Sequence, residues 1–185
     1  MSAKVRHIRM TRTRKALIEA FVGLVNERDF AKITVQDLTE RAQINRATFY
    51  AHYQDKYDLL DEVIGDPAMA LIKEYTQDVC TFTKDKIKQL VFAVFAYHQR
   101  AKDRCQRSYN SIVPLFRTQM LQALSHYFEG CLGQFYAKED RSFYVQIYAV
   151  ILYEAGTLWA TEQTDLPQQK IAEKVASLIM IPFEH

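Results

Sequence analysis

Apolar residues recur at three- and four-residue spacing along most of this chain, the period of an α-helix with one buried face. Over 12–27, Ala16, Leu17, Ala20, Phe21, Leu24 and Val25 form such a stripe, which Asp29 and Phe30 then interrupt. Thr34-Val35-Gln36-Asp37 reads as a capping box, with the Thr34 hydroxyl accepting from the Asp37 amide and the carboxylate reaching back. The helix it opens buries Val35, Leu38 and Ala42. Asn45 caps a short helix through about Tyr53, and Asp55 caps another over 56–64 with Leu59, Leu60, Val63 and Ile64 inward. Gly65-Asp66-Pro67 marks a boundary, because proline at a first helical position separates two helices. Beyond it the pattern predicts helices at roughly 67–82, 84–103, 112–136, 142–162 and 168–181. The expected fold is all-α, about nine helices in two domains, residues 1–64 and 65–185.

On a 3.6-residue wheel, 45–53 puts Phe49 and Tyr53 together near Asn45, and Arg46, Ala47, Tyr50 and Ala51 on the opposite half. A capped helix, a tight turn and a second helix with one apolar and one free face make a helix-turn-helix. The free face suits a DNA major groove. Arg46 can address guanine O6 and N7 with its planar fork, and Ala47 admits the backbone to the base edges. Tyr50, Thr48 and Lys56 are candidates for phosphate contacts, as is Thr34 at a helix N-terminus, where free amides favour an anion. Bland readings stand beside these: Phe49 and Tyr53 are core, His52 divides between packing and phosphate contact, and Lys56 can be a solvated helix residue.

The run Thr34-Val-Gln-Asp-Leu-Thr-Glu-Arg-Ala-Gln-Ile-Asn-Arg-Ala-Thr-Phe-Tyr-Ala-His-Tyr-Gln-Asp-Lys-Tyr-Asp-Leu60 resembles the DNA-binding signature of the TetR family of bacterial transcriptional regulators. Its strongest parts are Arg46 to Tyr50, His52-Tyr53, and Asp55-Lys56 followed by Leu59, and the resemblance covers about residues 10–64. It implies that Arg46 and Ala47 approach bases, while Thr34, Thr48, Tyr50, His52 and Lys56 hold phosphates. It further implies a dimeric repressor in which a small ligand moves the helix over 56–64 and changes the separation of two reading heads. Three residues depart from the pattern: Gln43 at the usual turn glycine, Asn45 at the usual Ser or Thr, and Thr39 at a common alanine. A left-handed non-glycine costs roughly 1–2 kcal/mol, so Gln43 is expected to shift the turn without abolishing it.

Charge sharpens the division. Residues 1–60 carry a net +4 and residues 61–185 a net −2, with Lys4, Arg6, Arg9, Arg12, Arg14 and Lys15 gathered at the start. A basic head on a mildly acidic body fits nucleic-acid binding, and the first fifteen residues read either as a minor-groove arm or as non-specific affinity. With 49% hydrophobic and 25% charged residues the chain is not a disordered one. Cys80, Cys105 and Cys131 are too far apart for a zinc site and read as buried small hydrophobes in a reducing cytoplasm. No secretory signal is expected, and 143–161, broken by Gln146 and Glu154, reads as a buried helix rather than a membrane span. The absence of a glycine-rich phosphate loop, clustered metal ligands or a nucleophile motif argues against an enzyme, a metal or a cofactor.

Residues 67–185 hold 17 of the 23 aromatics, a composition that suits either a core or an apolar effector pocket. The pocket candidates are Phe92, Phe95, Tyr97, Phe116, Tyr127, Tyr144 and Tyr148, with His98, Asn110, Arg117 and His126 as polar anchors. Arg117 stands equally for an anionic ligand and for a salt bridge. The helix over 142–162 is apolar on nearly every side, so a second subunit is expected to cover it together with 168–181, with Ala155, Gly156 and Ala160 allowing close approach. The competing function is a coactivator whose second domain binds another protein and no small effector.

Overall fold

The computed structural model of the chain describes residues 3–64 and 68–183, and the side chains of 12–63 and 68–183 among them. Gly65-Asp66-Pro67, the boundary expected from sequence, lies outside the described residues, as do the side chains of Lys4, Arg6 and Arg9. The described residues form helices only: α1 (Ala3–Glu27), α2 (Val35–Arg41), α3 (Arg46–Tyr50), α4 (Lys56–Ile64), α5 (Ala68–Thr76), α6 (Lys84–Arg104), α7 (Tyr109–Leu132), α8 (Lys138–Ala160) and α9 (Gln168–Met180). Two 3-10 turns, Phe30–Lys32 and Ile181–Phe183, complete them. Among the described residues no helix is long and apolar enough to cross a membrane.

The chain divides into two compact units, residues 1–65 with 101–112, and 66–100 with 113–185. The end of α6 and the start of α7 thus group with the N-terminal unit, a grouping that a division by sequence position alone does not contain. The reason is hydrogen bonding at the end of α1, whose last carbonyls have no partner within their own helix. Ser108 Oγ donates to the carbonyls of Val25 at 2.9 Å and Arg28 at 3.1 Å, and Arg107 donates to that of Glu27 at 2.9 Å. Asn26 adds bonds to the Arg104 carbonyl and from the Gln106 amide, both at 3.2 Å.

Leu17, Phe21, Leu38, Phe49 and Leu59 are fully buried in the core of the first unit. Val35 and Ala42 are only half-buried, while Thr39 is buried in their stead, its hydroxyl folded back on the Gln36 carbonyl at 3.0 Å. The 3-10 turn is capped by Asp29 and carries Phe30 inward, 5.8 Å from the Phe21 ring and 5.3 Å from the Tyr57 ring. The backbone is helical from Ala3 onward, so the basic cluster at the start of the sequence lies on α1.

In the second unit α5 stops at Thr76, well short of the expected end. Gln77 and Asp78 both take left-handed backbone, at φ 57° each, and residues 79–83 then run without helical pairing. Elsewhere in the unit, α7 starts and ends earlier than its periodicity suggested, and α8 starts at Lys138. Gly156 lets α8 approach α6 within the chain, since a Cβ there would collide with Val94 Cγ1 and lie 3.1 Å from His98 Cδ2. Ala155 and Ala160 are buried as well. These small residues thus serve the core of one chain, which corrects their assignment to a subunit contact.

Candidate nucleic-acid interface

The site is built from α2, the turn after it, and α3. Thr34 and Asp37 form the capping box: the Asp37 amide donates to Thr34 Oγ1 at 3.2 Å, and the Thr34 amide donates to Asp37 Oδ2 at 2.8 Å. Bonds from the Thr34 hydroxyl and amide, with Arg28 at 2.8 Å, hold the Asp37 carboxyl below its ordinary value. At the other end the helix closes in a Schellman turn. The Ile44 amide donates to the Thr39 carbonyl at 3.0 Å and the Gln43 amide to that of Glu40 at 3.2 Å. Gln43 sits at φ 55°, so the expected left-handed turn forms without glycine, the side chain pointing to solvent. Asn45 then caps α3, its side chain accepting from the Thr48 amide at 2.7 Å.

Phe49 and Tyr53 face inward with ring centroids 5.7 Å apart, and Arg46, Ala47, Tyr50 and Ala51 are exposed on the other face of the turn. Tyr50, at 57% exposure, is a large aromatic presented to solvent rather than packed, and Thr48 beside it is half-buried. Arg46 is not loose. Its Nη2 donates to Gln36 Oε1 at 2.7 Å, and Gln36 Nε2 donates to Glu40 Oε1 at 2.8 Å. Gln36 was not among the sequence candidates, and the one signal for it was its spacing of four from Glu40 on an exposed helix face.

Two of the expected phosphate contacts are occupied otherwise. Lys56 Nζ donates to the carbonyls of Ile33 at 2.8 Å, Phe30 at 3.0 Å and Ala31 at 3.3 Å, and lies 4.5 Å from the Phe30 ring centre. Its three ammonium hydrogens have three carbonyls to satisfy, so it is an internal clamp on the turn before α2 and not a free cation. Partial burial lowers its pKa against the opposing pull of Asp29, Asp37 and Asp55. Thr34 is likewise committed, hydroxyl and amide, to the Asp37 carboxylate, an anion that disfavours a phosphate beside it. His52 is half-buried with its ring 6.3 Å from that of Tyr53.

Behind the exposed face, Glu62 of α4 joins α1 and the end of α3. Arg14 reaches Glu62 Oε2 at 2.5 Å, and the Tyr53 hydroxyl donates to the same oxygen at 2.8 Å. Burial and that bond to Glu62 push Tyr53 up to about 12. Burial works to raise Glu62, but Arg14, Tyr53 and the nearby His52 together hold it below its ordinary value.

The sequence candidates in the second unit do not share one pocket. Phe92 and Phe95 line a shallow cavity of about 320 Å³ with Tyr75, Ala96, Gln99, Arg100 and Gln168. Tyr127 and His126 border another of about 220 Å³. Tyr97, His98 and Phe116 are core residues packed ring against ring, and Tyr144 and Tyr148 join Tyr136 in a stacked cluster with a 2.9 Å hydroxyl contact. Arg117 pairs with Glu154 at 3.3 Å, and Asn110 is exposed in the first unit. Among the described residues no cluster of three metal-ligating side chains occurs.

Comparison with known proteins agrees with this geometry. The family model for bacterial regulatory proteins of the tetR family matches residues 17–63. An uncharacterized HTH-type transcriptional regulator of Bacillus subtilis (strain 168), YxbF, is 42% identical over 69 residues, covering 37% of this chain and 18% of that protein. The chain thus spans less than a fifth of that relative. A TetR transcriptional regulator from Streptococcus agalactiae 2603V superposes with a TM-score of 0.68 at 26% identity, over 96% of this chain and 99% of that one. FadR from Bacillus subtilis, solved with stearoyl-CoA, shares the fold at a TM-score of 0.54 and 16% identity, over 92% and 99% of the two chains. A capped helix-turn-helix with an exposed Arg-Ala-Tyr face and the signature that fills it make residues 17–63 a match to the DNA-binding domain of bacterial regulatory proteins of the tetR family, and the chain as a whole is similar in fold to solved TetR transcriptional regulators.

Proposed function

We propose that this regulator acts as a dimeric repressor that reads a pseudo-palindromic operator through Arg46, Ala47 and Tyr50 and is released by a small effector. The observation that carries the reading is the outward face of α3, where a cation, a small residue and a phenol stand exposed on a helix whose opposite face is fully buried. Arg46 and Ala47 specify bases, whereas Tyr50 and Thr48 supply phosphate contacts that fix register. His52, half-buried beside Tyr53, acts through packing.

Support for the dimer comes from apolar side chains in solvent on two helices that pack on each other: Phe143, Ile147 and Leu158 of α8, and Leu178 of α9. Two-fold pairing of this face covers it and places two heads on successive major grooves. The effector, to release DNA, binds the DNA-incompetent arrangement more tightly than the competent one. The cavity lined by Tyr75, Phe92 and Phe95 is the better candidate seat, with aromatic walls and polar groups at Gln99, Arg100 and Gln168.

Selection of bound fragments from random duplex DNA by the purified protein tests the reading. An inverted repeat with two half-sites about one helical turn apart is expected. Enrichment of no motif, or of a single half-site bound by a monomer, would overturn it. Capture of a stoichiometric protein partner, with no small molecule weakening DNA binding, would favour the coactivator reading.

A further inference from the structure

Tyr127 and Cys131 lie one helical turn apart on α7, and the Cys131 thiol donates back to the Tyr127 carbonyl at 3.4 Å. The irregular segment after α5 is wrapped around the same residue. The Tyr127 hydroxyl lies 3.1 Å from the Val79 carbonyl oxygen and 3.0 Å from that of Thr81, and accepts from the Thr81 amide at 3.3 Å. Between those two anchors Cys80 is carried onto α7, where its thiol donates to the Tyr127 carbonyl at 3.3 Å. Two thiols 51 positions apart in sequence therefore converge on one acceptor, the Tyr127 carbonyl oxygen. Gly130 makes room for the approach, since a Cβ at that position would stand 2.9 Å from Cys80 Sγ.

The two sulfurs differ in access. Cys80 is exposed at the rim of the cavity of about 220 Å³ that Met69, Lys73 and His126 help to line, and Cys131 is buried behind it. Expectation from sequence made both of them inert core residues, but Cys80 is not in the core.

We propose that Cys80 and Cys131 are a redox-active dithiol, a modification site at which a peroxide converts the two thiols into one intramolecular disulfide. In the first step the Cys80 thiolate attacks a peroxide oxygen. The S–O bond forms, the O–O bond breaks, and hydroxide leaves as water on taking a proton, giving Cys80 sulfenic acid. In the second, the Cys131 sulfur attacks the Cys80 sulfur, forming S–S and breaking S–O, while the Cys131 proton leaves with hydroxide as a second water. Two thiols lose two electrons, and one hydrogen peroxide becomes two waters. The order follows from access and ionisation, because burial and the neighbouring Cys80 push the Cys131 thiol above its ordinary value. Disulfide geometry needs Cα atoms about 4.4–6.8 Å apart, and the non-helical stretch 79–83 is the part of the chain with freedom to adjust.

The test is hydrogen peroxide added to the reduced, folded, full-length protein, followed by intact mass and peptide mapping without reductant. The expected product has lost two hydrogens, yields a Cys80–Cys131 linked peptide, keeps Cys105 as a free thiol, and reverts with dithiothreitol. In Cys131→Ser, Cys80 is expected to stop as a sulfenic acid trapped by dimedone. In Cys80→Ser, thiol loss slows by about tenfold or more, since the exposed sulfur is gone. Circular dichroism confirms that each variant is folded, and the wild-type map needs no variant. A Cys80–Cys80 link between chains, direct passage of Cys80 to sulfinic acid, or no reaction of Cys80 each overturns the proposal.

Discussion

The guanidinium of Arg46 is held by the side chain of Gln36 at 2.7 Å, and Glu40 fixes Gln36 from its amide side at 2.8 Å. A flexible arginine at the first turn of α3 is thus presented in one direction before any ligand arrives. Preorganisation of this kind lowers the ordering cost of the contact it serves. Gln36→Ala is expected to weaken binding to the selected operator by about 1 kcal/mol and to broaden the preference at the base pair that Arg46 reads. Arg46→Ala is expected to cost about 1–3 kcal/mol at that same base pair. If Gln36 acts through Arg46, the double variant loses little more than Arg46→Ala alone. Anisotropy titrations with single-base operator variants decide it, and fully additive losses would show that Gln36 acts on its own.

Lys56 makes the opposite kind of prediction. With its ammonium bonded to the Phe30, Ala31 and Ile33 carbonyls, Lys56→Met is expected to lower stability by about 1–3 kcal/mol through the carbonyls left unsatisfied. The salt dependence of DNA binding by the folded variant should stay as in the parent, whereas loss of a phosphate contact would reduce the slope by about one. Urea unfolding and a salt titration on one DNA separate the two roles.

These cases show what was legible in sequence and what was not. The caps at Thr34, Asn45 and Asp55 were readable because each depends on a few adjacent residues. The inward pair Phe49 and Tyr53 followed from helical period alone. Lys56 was not readable, because its partners lie on a turn more than twenty residues earlier and only folding brings them together. The same holds for Gln36 beneath Arg46, and for Ser108, which joins the first unit across some eighty residues. Aromatic content could not tell core from pocket, since Tyr97, Phe116 and Phe92 obey one period and end in different surroundings.

Stability of the head is expected to vary with pH at both extremes. Asp37 has its folded pKa lowered, so its contribution is present above the unfolded value and is lost as pH falls through the folded one. Tyr53 is raised to about 12, so its contribution is full below its unfolded value and is lost as pH climbs toward 12. Asp37→Asn should flatten the acid limb of a urea-midpoint profile and leave the alkaline limb intact. Tyr53→Phe should flatten the alkaline limb and, because the Tyr53 hydroxyl helps to hold Glu62 low, a smaller part of the acid limb as well. Thr34→Ala, which removes the cap without removing the charge, should cost about 0.5–2 kcal/mol at neutral pH.

Gly156 lies where α8 crosses α6, with Val94 and His98 filling the space that a side chain would need. Valine is stiff at χ1 and cannot swing aside without strain. Gly156→Ala is therefore expected to destabilise the second unit by about 1–3 kcal/mol, even though alanine is the better helix former. Thermal unfolding measures the loss. A gain in stability would mean that α8 has room to move and that the glycine is not needed for packing.

The exposed face of α8 and α9 gives the last prediction. Leu158 and Leu178, at 45% and 56% exposure, are large apolar side chains presented to solvent by helices whose other faces are buried. If a second copy covers them, a carboxylate at either position would be desolvated in the contact without a partner. Leu158→Glu and Leu178→Glu are each expected to weaken dimerisation by about 2 kcal/mol or more, roughly thirty-fold in the dissociation constant. Because both side chains are solvated in the single chain, the folded monomer should keep its helix content. Sedimentation velocity across a concentration series reads the effect. An unchanged dimer with either glutamate would place the subunit contact elsewhere, while a monomeric parent protein would remove the two-headed reading of the operator altogether.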